Sequence, residues 1–137
     1  MSLSAPCAGV VVFDGDMTIL VCTERGHYSI PKGKRNKGET DIQTALRELQ
    51  EETGLTNDYI ELLDDFTLDE INERGNLTIR YYVAKLIKEK KTFTFDAKEL
   101  GKVEWIRVED TYKLEGFLDR RKEIVKKAYM EFISRNT

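Results

Sequence analysis

Residues 33–55 read GKRNKGETDIQTALRELQEETGL, a basic glycine loop followed by an acidic helix, and the rest of the chain is organised around them. Thr40 or Asp41 suits the start of a helix, Gly54 suits a left-handed residue at its end, and nothing between them breaks it. The spacing predicts one helix over 41–53. Ile42, Ala45, Leu46 and Leu49 recur at i, i+3, i+4 and i+7, so they are expected to face inward. Glu48, Glu51 and Glu52 recur at i, i+3 and i+4 on another face, expected to be exposed. Three carboxylates within one turn repel, each pair costing a few tenths of a kcal/mol. Arg47 reaches Glu51 at i+4 but cannot by itself neutralise three glutamates and a fourth at Glu39. A divalent ion that prefers oxygen, Mg²⁺ or Mn²⁺, would.

The loop before the helix, residues 31–38, carries Lys32, Lys34, Arg35 and Lys37 with two glycines. Backbone N–H groups near a helix start, with cations beside them, favour bound anions. A phosphate placed next to an acidic, metal-binding helix is the inference these two halves support together.

Composition bounds the rest. The chain has 137 residues, a formal charge of −3, 34% charged and 40% hydrophobic residues. These values describe one globular domain with a sizeable core, and exclude a broad nucleic-acid clamp or a charged tail. Cys7 and Cys22 sit in apolar runs without metal-ligand spacing and are expected as reduced core thiols. Neither a signal peptide nor an apolar run near 18 residues is present, so a cytoplasmic protein without a membrane partner is expected.

Along the chain, 8–13 (AGVVVF) and 17–22 (MTILVC) read as strands joined at Asp14, Gly15 and Asp16. Residues 59–71 read as a strand running into a loop at 72–75, and 77–86 (LTIRYYVAKL) as the clearest later strand. Phe93 to Phe95 suggests a short edge strand guarded by lysines. Residues 103–108 alternate as a strand. A last helix over 118–134 is expected to bury Ile124, Ala128 and Phe132 while leaving Arg120, Arg121 and Lys122 in solvent. The implied fold is α/β, a mixed sheet sandwiched between helices.

The 33–55 stretch resembles the Nudix box. Gly33, Glu39, Arg47, Glu48, Glu51, Glu52 and Gly54 all stand at its intervals, and an accidental match is on the order of 10⁻⁸ per starting position. The resemblance implies a single Nudix hydrolase domain over 4–137, cleaving a phosphoanhydride. It implies Mg²⁺ or Mn²⁺ held by Glu48, Glu51, Glu52 and the carbonyl of Gly33. Arg47 then orients a box glutamate by a bidentate pair, and Glu39 anchors the loop. Family members draw the general base from the box or from a later loop; Glu99 is the candidate for the latter, with Glu104 and Asp96 as competitors.

Within the family, the lead-in His27, Tyr28, Ser29, Ile30, Pro31, Lys32, Gly33 and the strand at 79–86 resemble the asymmetric diadenosine tetraphosphate hydrolases. That likeness implies a nucleotide or dinucleoside polyphosphate substrate. Lys32 then contacts the phosphate chain, His27 a phosphate or base, and Tyr81 stacks on or bonds the nucleotide. Ile30 and Lys34 depart from that branch. With Lys34 and Arg35 in the basic loop, the lead-in also resembles mRNA decapping enzymes, which implies an RNA 5′ end. Four cations in the loop would suit a diphosphoinositol polyphosphate as well. A domain that binds nucleotide without hydrolysing it is the reading from another class; its mark, a lost box glutamate, is missing here.

Overall fold

The computed structural model describes residues 4–136; the last residue of the expected 4–137 domain lies outside the described residues. The strands are β1 (Cys7–Asp14), β2 (Met17–Cys22), β3 (Tyr28–Ser29), β4 (Lys32–Lys34), β5 (Ile60–Ile71), β6 (Leu77–Leu86) and β7 (Lys102–Arg107). The helices are α1 (Asp41–Thr53), the short α2 (Val108–Thr111) and α3 (Asp119–Arg135).

At the centre, β1 pairs parallel with β6 from Cys7 through Phe13, and β6 pairs antiparallel with β5. Its run of apolar residues is continuous rather than alternating because both of its faces are covered. One face packs Ala8, Val10 and Val12 against Ala45 and Leu49 of α1; the other packs Val11 and Phe13 against Ile124, Val125, Ala128 and Phe132 of α3. This is the expected mixed sheet between helices. Both cysteines are free thiols, Cys22 buried and Cys7 half-buried. Among the described residues, no helix is long and apolar enough to cross a membrane.

The hairpin of β1 and β2 holds its pairing only near the turn, at Phe13 with Thr18 and Asp14 with Met17. Beyond it the strands diverge. β4 takes the free edge of β1, with Ala8 opposite Gly33 and Gly9 opposite Lys32, while β2 pairs with β3 and β7. That divergence carries the basic loop into the sheet and fixes Lys32 and Gly33 as strand residues.

Four expectations are corrected. Residues 93–95 form no strand; the lysine-rich stretch between β6 and β7 is irregular and tied down through Thr94 N–H to the Thr53 carbonyl (3.0 Å) and Lys91 Nζ to the Gly54 carbonyl (3.1 Å). Ile42 is 38% exposed, because α1 turns Thr44, Ala45, Leu49 and Thr53 inward instead. Arg120 is exposed as expected but Arg121 is not, its side chain 15% exposed, and both bond the buried Glu70. Tyr81, expected at the nucleotide, is fully buried on the α3 face of the sheet and donates its hydroxyl to Glu70 at 2.9 Å. Alternation along β6 sends Tyr82, not Tyr81, to the α1 side.

Candidate active site

Thr40 caps α1, accepting from Gln43 N–H while the Gln43 side chain accepts from Thr40 N–H, and Gly54 ends the helix at φ 84°. The inward stripe of Thr44, Ala45, Leu49 and Thr53 leaves Glu48 and Glu52, one turn apart, at the margin of the core rather than on an open surface. Glu51 alone of the three is exposed.

Glu52 accepts from the backbone N–H of Lys32 at 3.0 Å. Burial pushes its carboxyl from the ordinary 4.5 to about 7, with the Lys32 hydrogen bond opposing and the charge of Glu48 adding to the rise. Glu48 is also raised by burial, against the pull of Arg47. Gly33 lies flat against Glu48: a Cβ built on it would stand 2.1 Å from the carboxyl carbon. The sheet therefore brings Lys32, Gly33, Glu48 and Glu52 together.

Arg47 is the hub behind them. It holds Glu39 with two hydrogen bonds (2.7 and 3.0 Å), Glu48 at 2.9 Å, Glu51 at 2.9 Å and the Lys34 carbonyl at 2.8 Å. Glu39 also accepts from Asn36 N–H (2.8 Å) and from the Thr44 hydroxyl (3.0 Å). Its carboxyl is held down to about 2, first by Arg47. One guanidinium thus joins both ends of the basic loop to the acidic helix.

Glu99 lies in the irregular stretch before β7, exposed, with its N–H on the Asp96 carbonyl (3.0 Å). Its charge reaches both box carboxylates, adding to the rise at Glu48 and Glu52. Lys34 and Arg35 are exposed, and neither has an acidic partner among the described residues. His27 stands apart from the box, in a turn where its N–H donates to the Thr23 hydroxyl (3.1 Å), beside a groove of about 520 Å³ that Tyr28, Phe117, Leu118 and Arg121 also line. Tyr81 is in neither place.

Among the described residues, no three His, Cys, Asp or Glu side chains already converge at metal-binding range; Arg47 draws Glu48 and Glu51 towards itself. The donors nevertheless suit a hard divalent cation. They are oxygens, they sit beside a backbone that approaches within contact of Glu48, and burial raises the carboxyls of Glu48 and Glu52 even against the pull of Arg47 and Lys32, so their anions would gain from a further cation. The Lys32 N–H on Glu52, the buried Thr44 and the Glu70 pairs escaped sequence reasoning. For Glu70 a signal existed: Phe66 and Leu68 pack on the α3-side core, and strand alternation sends Glu70 the same way.

The family model for the NUDIX domain matches residues 3–128. The asymmetrical bis(5′-nucleosyl)-tetraphosphatase of Mus musculus is 28% identical over 97 residues, covering 69% of this chain and 65% of the relative. The mRNA-decapping enzyme subunit 2 of Saccharomyces cerevisiae is 30% identical over 108 residues, covering 74% of this chain but 11% of the relative. This chain thus spans a small part of the yeast relative and just under two thirds of the mouse one. The crystal structure of a C. elegans Ap4A hydrolase binary complex superposes with a TM-score of 0.79 at 23% identity, covering 93% of this chain and 98% of that one; at that identity the likeness is one of fold.

Proposed function

The chain belongs to the Nudix family, and on that premise we propose that it is a metal-dependent pyrophosphohydrolase acting on a nucleoside diphosphate linked to another moiety, with diadenosine tetraphosphate, cleaved to ATP and AMP, as the favoured substrate. The observation that carries this reading is the half-buried pair Glu48 and Glu52 set against Lys32 and Gly33. Mg²⁺ or Mn²⁺ held by Glu48 and Glu52, with Glu51 and the Gly33 carbonyl, would offset phosphate charge and activate a water. Lys32 binds the phosphate chain from the strand next to these acids. Glu99, whose charge already reaches them, is the candidate to take the proton of the attacking water. The mouse likeness supports the dinucleoside substrate.

Arg47 acts by holding its neighbours rather than by touching substrate. Arg47→Lys keeps the charge but cannot span Glu39, Glu48, Glu51 and the Lys34 carbonyl together. The expected result is Mg²⁺ affinity weakened about 10- to 100-fold, measured by calorimetry. Unchanged affinity would remove Arg47 from the site.

A second reading, hydrolysis at an RNA 5′ end, is favoured by Lys34, Arg35 and Lys37, which project into solvent beside the acids with no ion pair among the described residues, and by the likeness to the yeast decapping subunit. Comparing kcat/KM with Mg²⁺ on diadenosine tetraphosphate, capped RNA, diphosphoinositol phosphates and nucleoside triphosphates decides between them. Preference for diadenosine tetraphosphate that survives Lys34→Gln with Arg35→Gln supports the first reading. Preference for capped RNA that falls about tenfold in that double variant supports the second. No turnover of any of them overturns the hydrolase reading and leaves nucleotide binding alone.

A further inference from the structure

Asp96, Glu99 and Glu104 could each serve as general base by sequence, and the structure gives them different places. In β7, Val103 and Trp105 face the α1 side with the box helix. Strand alternation therefore turns Glu104 to the opposite face, where it pairs with Lys102 at 3.7 Å. Asp96 and Glu99 belong to one helical turn. The Asp96 carbonyl accepts from the N–H groups of Glu99 and Leu100, each at 3.0 Å, and its Oδ1 accepts from Lys98 N–H at 2.9 Å. The side chain of Asp96 is thus a cap, turned back onto its own backbone.

The turn is fastened at both ends. Before it, Thr94 N–H donates to the Thr53 carbonyl at 3.0 Å and Lys91 Nζ to the Gly54 carbonyl at 3.1 Å. Thr94 fills space that only a glycine leaves open: a Cβ on Gly54 would stand 2.1 Å from its Oγ1. After the turn, Leu100 is buried and Gly101 N–H donates to the Cys22 carbonyl at 2.8 Å. The first anchor is the end of α1, next in sequence to Glu52, so the box carboxylates and the turn carrying Glu99 share one frame. From that turn the charge of Glu99 reaches Glu48 and Glu52.

We propose that Asp96 is a positioning residue, capping the turn between the Thr94 and Gly101 anchors so that Glu99 is held towards Glu48 and Glu52. The cap needs an acceptor oxygen rather than a charge, and asparagine offers the same oxygen. What the turn means for turnover rests on the hydrolase reading above. The turn itself can be measured without substrate or metal.

Asp96→Ala and Asp96→Asn are compared in the full chain. By backbone NMR relaxation of the metal-free protein, alanine should lower the order parameters of Lys98 and Glu99 from about 0.85 to about 0.6, and asparagine should leave them unchanged. With Mg²⁺ and diadenosine tetraphosphate, alanine should lower kcat about fivefold at unchanged KM, the loss of one cap, while asparagine keeps the parental rate. In a Glu99→Gln background, alanine should cost nothing further. An asparagine variant as slow as the alanine one would make Asp96 itself the base or a metal ligand and overturn the proposal. So would unchanged order parameters in the alanine variant, or an equal loss of rate in the Glu99→Gln background. A parent that turns over nothing would strike the hydrolase reading and with it the claim on turnover, while the order parameters still decide the cap.

Discussion

Glu52→Gln is expected to lower kcat by about 10³-fold or more while making the metal-free protein more stable above neutral pH. The amide keeps an oxygen for the Lys32 N–H (3.0 Å in the parent) and removes only the charge, so the loop stays docked. Loss of a carboxylate that would hold a catalytic cation accounts for the fall in rate. The stability effect follows from linkage. In the folded chain this carboxyl titrates at about 7, against an ordinary 4.5, because burial disfavours its anion. A raised acid holds its proton longer when folded than when unfolded. The stability it contributes is therefore complete below the unfolded value of 4.5 and is lost as pH rises towards 7. At pH 8 the parent carries nearly the whole burden, about 3 kcal/mol or roughly 10 °C in melting temperature, and glutamine relieves it. Mg²⁺ should raise the melting temperature of the parent at pH 8 much more than that of the variant. A variant with near-parental turnover, or one less stable than the parent at pH 8 without metal, would remove Glu52 from the assigned role.

Gly33→Ala should be nearly as severe for activity, by a different route. A methyl group on this residue would lie 2.1 Å from the Glu48 carboxyl carbon and 2.3 Å from both its oxygens. The obstacle is the end of a flexible side chain rather than backbone, so the carboxylate swings away at little cost to folding. Gly33 is paired in β4 opposite Ala8, and alanine loses less backbone freedom in a strand than glycine does. The expected outcome is a melting temperature within about 3 °C of the parent and turnover reduced about 100-fold or more. A variant that unfolds would show the glycine to be structural; one that turns over normally would show that the position of Glu48 does not matter.

Much of the fold could be read from residue order. The β-branched runs of β1, β2 and β6 and the turn residues between them gave the sheet, and Thr40 and Gly54 bounded α1 where the structure has it. Local chemistry suffices there, because caps, turns and strand propensity act within a few residues. The helix pattern misled in one respect. Ile42, Ala45, Leu46 and Leu49 make a good apolar stripe, yet α1 is rotated so that Thr44, Ala45, Leu49 and Thr53 go in and Ile42 stays out. Thr44 can be buried because its hydroxyl bonds Glu39 and the Thr40 carbonyl, a partner supplied by the loop and invisible to a count of apolar residues.

That rotation is the difference between a solvated acidic face and a site. The seven identities of residues 33–55 by themselves determined the family and the residue types that would do the chemistry. Only the tertiary structure decided that Glu48 and Glu52 are half-buried while Glu51 is exposed, that Tyr81 serves the core instead of a ligand, and that Arg120 and Arg121 converge on Glu70. The physical reason is range: a carboxylate's solvation and partners depend on what packs against it, and here those groups come from β4 for Glu52 and from α3, fifty residues onward, for Glu70.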